Sequence, residues 1–301
     1  INKNQWISNY YEILKKKNVD IIIELIGGAE GPAKKLVFAA LKNKKHVVTA
    51  NKALISKYGD ELSQIAEKNK VNLEYEAAVC GGVPIIRSIK EGLIANKISR
   101  IYGIFNGTSN YVLSSMDINK TSFDETVKKS VKLGYAESNP TSDINGEDVS
   151  SKVKILTCLG FNSFINDSIH VEGIKNIDEE DISNANKLGY KIKLMGFSEL
   201  LNDKIFQRVH PTLVRKKSYI AGVDGVLNAV IIDGKPIGQS IIQGEGAGAE
   251  ATTSALVSDI SSILRENIKF PFGISSNKRK KYSSGKITDL FFSSYIRLNV
   301  K

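Results

Sequence analysis

The sequence predicts an α/β protein, in which part of a doubly wound parallel sheet is followed by an α+β region on a mixed sheet. Three observations carry that reading. From Val19 to Glu76, short apolar runs alternate with amphipathic stretches in the rhythm of βαβ units. Beyond Gly160 the chain changes character: Tyr190–Leu200, Ile205–Val214, Leu227–Ile232 and Pro236–Ile242 read as strands, mixed with short helices. The length of 301 residues, with 42% apolar and 25% charged, allows about two domains with a real core.

The elements follow in order. Val19–Ile26 (VDIIIELI) is a continuous apolar run of the kind buried on both faces of a parallel sheet. Gly27 and Gly28 end it, and a helix runs from Pro32 to Leu41. His46–Thr49 is the next strand, and Lys52 opens a helix to about Lys68 with Leu54, Tyr58, Leu62 and Ile65 on one face. Val71–Glu76 is a third strand, followed by a glycine-containing turn to Pro84. Residues 1–18 hold no glycine, so the strand and Gly-rich turn that normally open a dinucleotide-binding sheet are missing. Ile1 is not a start methionine, and the expectation is a chain truncated at its N-terminus.

Gly103–Leu113 closes an apolar strand and opens a helix, with Thr108 or Ser109 offering a hydroxyl where a small anionic group could bind. The next helix has Ser122 as N-cap, Glu125 three residues on, Phe123, Val127 and Val131 on one face, and Gly134 just past its end. A short loop then carries Glu137 and leads through Asp143 to a helix over Asn145–Gly160, with Asn145 as N-cap.

On a helical wheel with Val149 at zero, Val149, Val153, Ile155, Leu156 and Leu159 span an arc from about 240° to about 40°. Asp148 at about 260° and Lys152 at about 300° point into that apolar arc, whereas Glu147, Ser150 and Lys154 lie opposite. One reading is a helix-stabilising pair, with a carboxylate in the first turn and a lysine four residues on. The other is a pocket that binds something polar, because an inward ion pair costs desolvation that its own attraction need not repay.

The net charge of +10 comes from a general lysine excess, and no basic segment is interleaved with aromatics, so nucleic-acid binding is not expected. Cys80 and Cys158 make no disulfide framework and have no partner at metal-ligand spacing. His46, His170 and His210 are scattered, against zinc chemistry or a histidine-led triad. Neither a long apolar run nor a signal peptide is present, which reads as a cytoplasmic protein with no membrane partner.

Four stretches resemble homoserine dehydrogenases: Val48–Lys52 (VTANK), Glu76–Pro84 (EAAVCGGVP), Gly103–Leu113 (GIFNGTSNYVL) and Leu133–Lys152 (LGYAESNPTSDINGEDVSSK). They occur in family order, and the NGTSNY form is nearer the stand-alone enzymes than those fused to an aspartate kinase. The resemblance implies a Rossmann-like NAD(P)-binding part over residues 1–83, with 245–270 returning to it. It further implies a catalytic and dimerisation region over 84–244, and a linker with the start of an ACT-type regulatory domain over 271–301. There Ser294–Val300 would be an opening strand; by its own composition Asn277–Gly285 (NKRKKYSSG) reads as an exposed linker.

Under the same resemblance Lys152 donates a proton and Lys52 faces the nicotinamide and the reacting oxygen, while Glu137 and Asp148, supported by Asp143, bind the substrate ammonium. Ile26, Gly27, Thr49, Lys52, Gly134 and Gly246 border NAD(P), and Glu76, Val79, Gly81 and Val83 hold a monovalent cation such as sodium. Cys80 stands where a smaller residue is usual. A homodimer reducing L-aspartate 4-semialdehyde to L-homoserine is the implied whole. Two alternatives stay open: a substrate-binding or dimerisation module without turnover, and a semialdehyde dehydrogenase, whose chemistry needs a cysteine nucleophile with a partner base.

Overall fold

Two sheets organise the chain in the computed structural model, which describes residues 6–7, 9–266 and 268–298. β1 (Ile21–Glu24), β2 (His46–Thr49) and β3 (Leu73–Glu74) form a parallel sheet in that order, with α1 (Pro32–Lys42) and α2 (Lys52–Asn69) as crossovers. Ile22 sits opposite Val47, and Val47 opposite Leu73, so one apolar face packs on Leu36, Val37, Leu54 and Leu62 of the helices. Pro32 suits the first turn of α1, and the Asn51 side chain caps α2 by accepting the Leu54 N–H at 3.0 Å. The chain then turns through Cys80 and Gly81, both at positive φ, into the single turn α3 (Ile85–Arg87).

The second sheet is built from β4 (Lys97–Ile104), β5 (His170–Val171), β6 (Tyr190–Leu201), β7 (Lys204–Arg215), β8 (Leu227–Lys235), β9 (Gly238–Glu245) and β10 (Ser283–Ser284). Its order is β10-β7-β6-β4-β8-β9, with β5 also on β7; the long pairs are antiparallel, whereas β5 and β10 run parallel to β7. Between these strands come α4 (Gly107–Asn119), α5 (Phe123–Lys132), α6 (Thr141–Ile144), α7 (Glu147–Gly160) and α8 (Glu179–Lys187), and α9 (Ala249–Leu264) follows β9. α7 lies close on the sheet because glycines face it: a Cβ on Gly196 would meet the Val153 side chain at 2.6 Å. α9 returns to the first sheet, where Leu256 and Ile263 pack on Val48.

Three sequence expectations are corrected and a fourth is qualified. β1 is not buried on both faces. It is an edge strand, and Ile23 is 46% exposed because α9 packs over β2 and leaves that flank open. The N-cap of α7 is Gly146 at φ 81, not Asn145, which instead ends α6 with its N–H on the Thr141 carbonyl. Asn277–Gly285 is exposed over most of its length, as expected, but it is packed rather than free, since Arg279 is 5% exposed and Ser283–Ser284 pairs with β7. Ser294–Leu298 forms no strand; Asn299 and Val300 lie outside the described residues.

Candidate functional site

The end of β4 is the hub of the site. The Phe105 carbonyl accepts from Lys152 Nζ at 2.6 Å, and the next residue, Asn106, donates from Nδ2 to Asp148 Oδ2 at 2.9 Å and to Asp143 Oδ1 at 2.7 Å. Lys152 also reaches Asp148 Oδ2 at 2.7 Å, while Lys52, first residue of α2, reaches Asp148 Oδ1 at 2.9 Å. Thus two lysines from different sheet units share one carboxylate. Asp148 and Lys152 sit on successive turns of α7 and are 4% and 8% exposed, as an inward-facing pair requires.

Burial alone would raise the Asp148 pKa, but the Lys152 and Lys52 charges, with hydrogen bonds from Lys152 and Asn106, hold its carboxyl well below the usual carboxylate range. Burial opposes the charge on Lys152, yet the Asp148 carboxylate outweighs it and raises the ammonium above its ordinary value. The carboxylate therefore prevails over the lowering that burial and convergence of Lys52 would produce. Asp143 is raised by burial and then by the Asp148 charge.

The cluster opens into a cavity of about 650 Å³ at the junction of the two sheets, lined also by Ala50, Ala77, Gly81, Gly134, Glu137 and Gly246. Glu137, Asp143, Asp148 and Glu245 set four carboxylates against Lys52 and Lys152 on its walls, a balance that favours a cationic ligand group. Glu137 has no hydrogen-bond or ion-pair partner among the described residues, which leaves its carboxylate available. Its loop is fixed from behind, with Thr108 Oγ1 donating to the Tyr135 carbonyl at 2.8 Å.

Other predicted residues lie apart from the cavity. Ile26 and Gly27 donate their N–H groups to Glu24 Oε1, and Thr49 is fully buried, its hydroxyl donating to Glu24 Oε2 and accepting the Asn51 N–H. Those three residues shape the strand ends from outside the cleft. Glu76 does not present a free carboxylate to a cation: each of its oxygens accepts a backbone N–H, from Ile86 and Arg87 at 2.8 Å. The carbonyls of Glu76 and Val83 accept turn bonds from Val79 and Ile85. Of the proposed ligand set only Gly81 lines the cavity. Cys80 also lines it, but burial pushes its thiol up and its side-chain partner is the Asn228 amide, which is no base.

Asn106 and Glu24 escaped the sequence reading. Asn106 carried a signal: an Asn three residues before Ser109 is an N-cap pattern, and its Oδ1 accepts the Ser109 N–H at 2.7 Å. The hydroxyls of Thr108 and Ser109 do not offer an anion site, because they are spent on the Tyr135 and Asn106 carbonyls.

Fold and site define an α/β protein whose parallel and mixed sheets share an acid-lined cleft, with two lysines on one aspartate in its lining. The family model described as Homoserine dehydrogenase matches residues 84–261, and that described as Homoserine dehydrogenase, NAD binding domain matches 2–76. The chain belongs to the homoserine dehydrogenase family. It is 45% identical over 261 residues to the homoserine dehydrogenase of Neisseria gonorrhoeae, covering 86% of this chain and 60% of that protein. To the Bacillus subtilis enzyme it is 36% identical, covering 97% and 67%. The crystal structure of a homoserine dehydrogenase from Thiobacillus denitrificans superposes with a TM-score of 0.87 at 40% identity, over 92% of this chain and 66% of that one. A hyperthermophilic archaeal homoserine dehydrogenase in complex with NADPH matches with a TM-score of 0.77 at 25% identity, over 88% and 77%. The chain thus spans about 60% of the length of the first curated relatives it matches.

Proposed function

We propose that this chain carries the homoserine dehydrogenase reaction, the NAD(P)-dependent interconversion of L-aspartate 4-semialdehyde and L-homoserine in threonine, methionine and isoleucine biosynthesis. The observation that supports it most is the Lys52–Asp148–Lys152 cluster lining a net-acidic cavity. A nicotinamide ring fits beside the cluster, since the cleft lies at the carboxyl ends of parallel strands and small residues (Ala50, Ala77, Ala78, Gly81 and Gly246) leave room. The cofactor, when bound, supplies or takes up the hydride.

This chain's residues do the rest. Glu137 and Asp143, with Asp148 behind them, receive the substrate ammonium and orient the chain of the semialdehyde. Lys152 has spent two N–H groups on Phe105 O and Asp148 and keeps one for the carbonyl oxygen, to which it delivers a proton as charge develops there. Lys52, at the mouth, sets a second positive charge near the same oxygen. In the reverse direction a bound ammonium draws on the carboxylates that hold the Lys152 proton, which eases its release.

We assign the fold a cytoplasmic setting and a homodimer. Among the described residues no helix is long and apolar enough to cross a membrane. Supporting the dimer is the outer face of the mixed sheet, which exposes Tyr219 and Ile241 around a hollow of about 300 Å³.

The test is homoserine oxidation by this chain, read as reduced cofactor, beside Lys152→Met. The substitution is expected to lower kcat by about two to four orders of magnitude with little change in cofactor KM. Equal activity in the variant would remove Lys152 from the chemistry. Homoserine binding by the unsubstituted chain without turnover would favour a binding module.

A further inference from the structure

The side chain of Asn106 is 5% exposed and has no polar atom to spare. Both N–H groups of Nδ2 are given to carboxylates, Asp143 at 2.7 Å and Asp148 at 2.9 Å, and Oδ1 is held by the Ser109 N–H at 2.7 Å. That pattern admits one orientation of the amide: turned over, it would set an oxygen against two carboxylates and an N–H against an N–H. One neutral group therefore bridges two acids that would otherwise repel each other.

The need for a bridge differs between the two. Asp148 is held from three sides, by Lys52, Lys152 and Asn106. Asp143 sits on the single-turn α6, is only half-buried, and forms no ion pair among the described residues. Burial and the Asp148 charge both push its pKa up, whereas the hydrogen bond from Asn106 pulls it down.

We propose that Asn106 is a positioning residue: its amide holds Asp143 ionised and aimed into the cavity beside Asp148, and so sets the affinity of the site for the ammonium of its substrate. The proposal rests on the homoserine reading given above for which ammonium is bound, though the bridging role itself does not. A neutral donor suits the task where a lysine would not, because a third fixed cation would compete with the ligand for the same carboxylates. Selectivity follows: an analogue of homoserine lacking the amino group gains nothing from the pair that Asn106 maintains.

Asn106 also caps α4, so the test must separate the cap from the bridge. Serine caps helices about as well as asparagine, and its hydroxyl has a single donor. Asn106→Ser is expected to raise the KM for homoserine about ten- to a hundredfold, the scale of hydrogen bonds to charged groups, while cofactor KM, kcat and Tm change little. The acid limb of kcat/KM should move to higher pH, because the donor that lowers the Asp143 pKa is gone. Carbon-13 carboxyl titration of the ligand-free chain reads the same shift without any substrate. Asn106→Asp, of the same shape, should give a larger loss. An unchanged Asp143 titration in Asn106→Ser, with unchanged homoserine KM, would overturn the positioning role. Failure of the unsubstituted chain to bind or oxidise homoserine would overturn the functional reading alone, since the carboxyl titration still decides the bridge.

Discussion

Replacing Asp148 with asparagine removes one charge from a cluster of three and keeps its shape. Lys152, 8% exposed, would keep only the Phe105 carbonyl and a neutral amide as partners. Leaving a buried charge without its counter-ion costs about 3–5 kcal/mol. A penalty of that size would depress the Lys152 pKa below its ordinary value. The sign then separates the two proteins. In the wild type the folded-state pKa of Lys152 is raised, so its contribution is complete below the unfolded value of about 10.4 and is lost as pH rises through the folded one. In Asp148→Asn the folded pKa is depressed; the folded chain releases the proton first, and stability rises with pH up to about 10.4. Urea denaturation at steps from neutral pH to about pH 10 should therefore show a gap of about 3–5 kcal/mol that narrows steadily. No gap, or one that ignores pH, would mean that Lys152 does not depend on Asp148 for its charge.

Asp259 offers an independent titration, since burial and then the Glu74 charge push its carboxyl up to about 7. Its folded pKa lies above the unfolded value of about 3.9, so the stability it contributes is complete below that value and is lost as pH rises to about 7. Asp259→Asn should flatten the slope of unfolding free energy over that interval and stabilise the chain by about 1–3 kcal/mol at pH 8; an unchanged slope would refute the assignment. At Gly246 an added Cβ would lie 2.0 Å from Asn228 Oδ1, on a side chain that is fully buried. Gly246→Ala should cost about 2–4 kcal/mol in denaturant melts and weaken homoserine binding, whereas Gly222→Ala, with open space around it, should do neither.

Where the sequence was most legible, one local pattern sufficed. His46–Thr49 read as a strand has the bounds of β2, and the wheel that turned Asp148 and Lys152 inward matches their burial. Ser122 caps α5 and Gly134 follows it at φ 75, because capping is settled within a few residues. What failed depended on distant partners. VDIIIELI reads as a strand covered on both sides, but whether Ile23 is covered depends on where α9 lands. NKRKKYSSG has the composition of a solvated linker, and nothing local announces that Arg279 meets Asp60 and Ser63 more than two hundred positions earlier. Asn106 was legible as a cap; that its amide also joins two acids depends on the approach of α6 and α7.

Arg279 clamps two helices together. Its guanidinium donates to Asp60 at 2.6 Å and Ser63 at 2.8 Å on α2 and contacts Cys158 at 3.4 Å on α7, flanked by the rings of Phe164 and Phe272. Phe272 in turn fills the space that a Cβ on Gly59 would occupy and packs against Tyr75, whose hydroxyl donates to the Pro271 carbonyl. α2 belongs to the parallel sheet and α7 to the mixed one, so this segment rivets the two units together behind the cleft. Any hinge that opened the cleft by rotating the sheets would have to extract a buried guanidinium and an aromatic ring. The walls therefore keep their spacing, and the adjustment to a bound molecule falls to the exposed parts of the rim, the Lys52 side chain and the loop carrying Glu137.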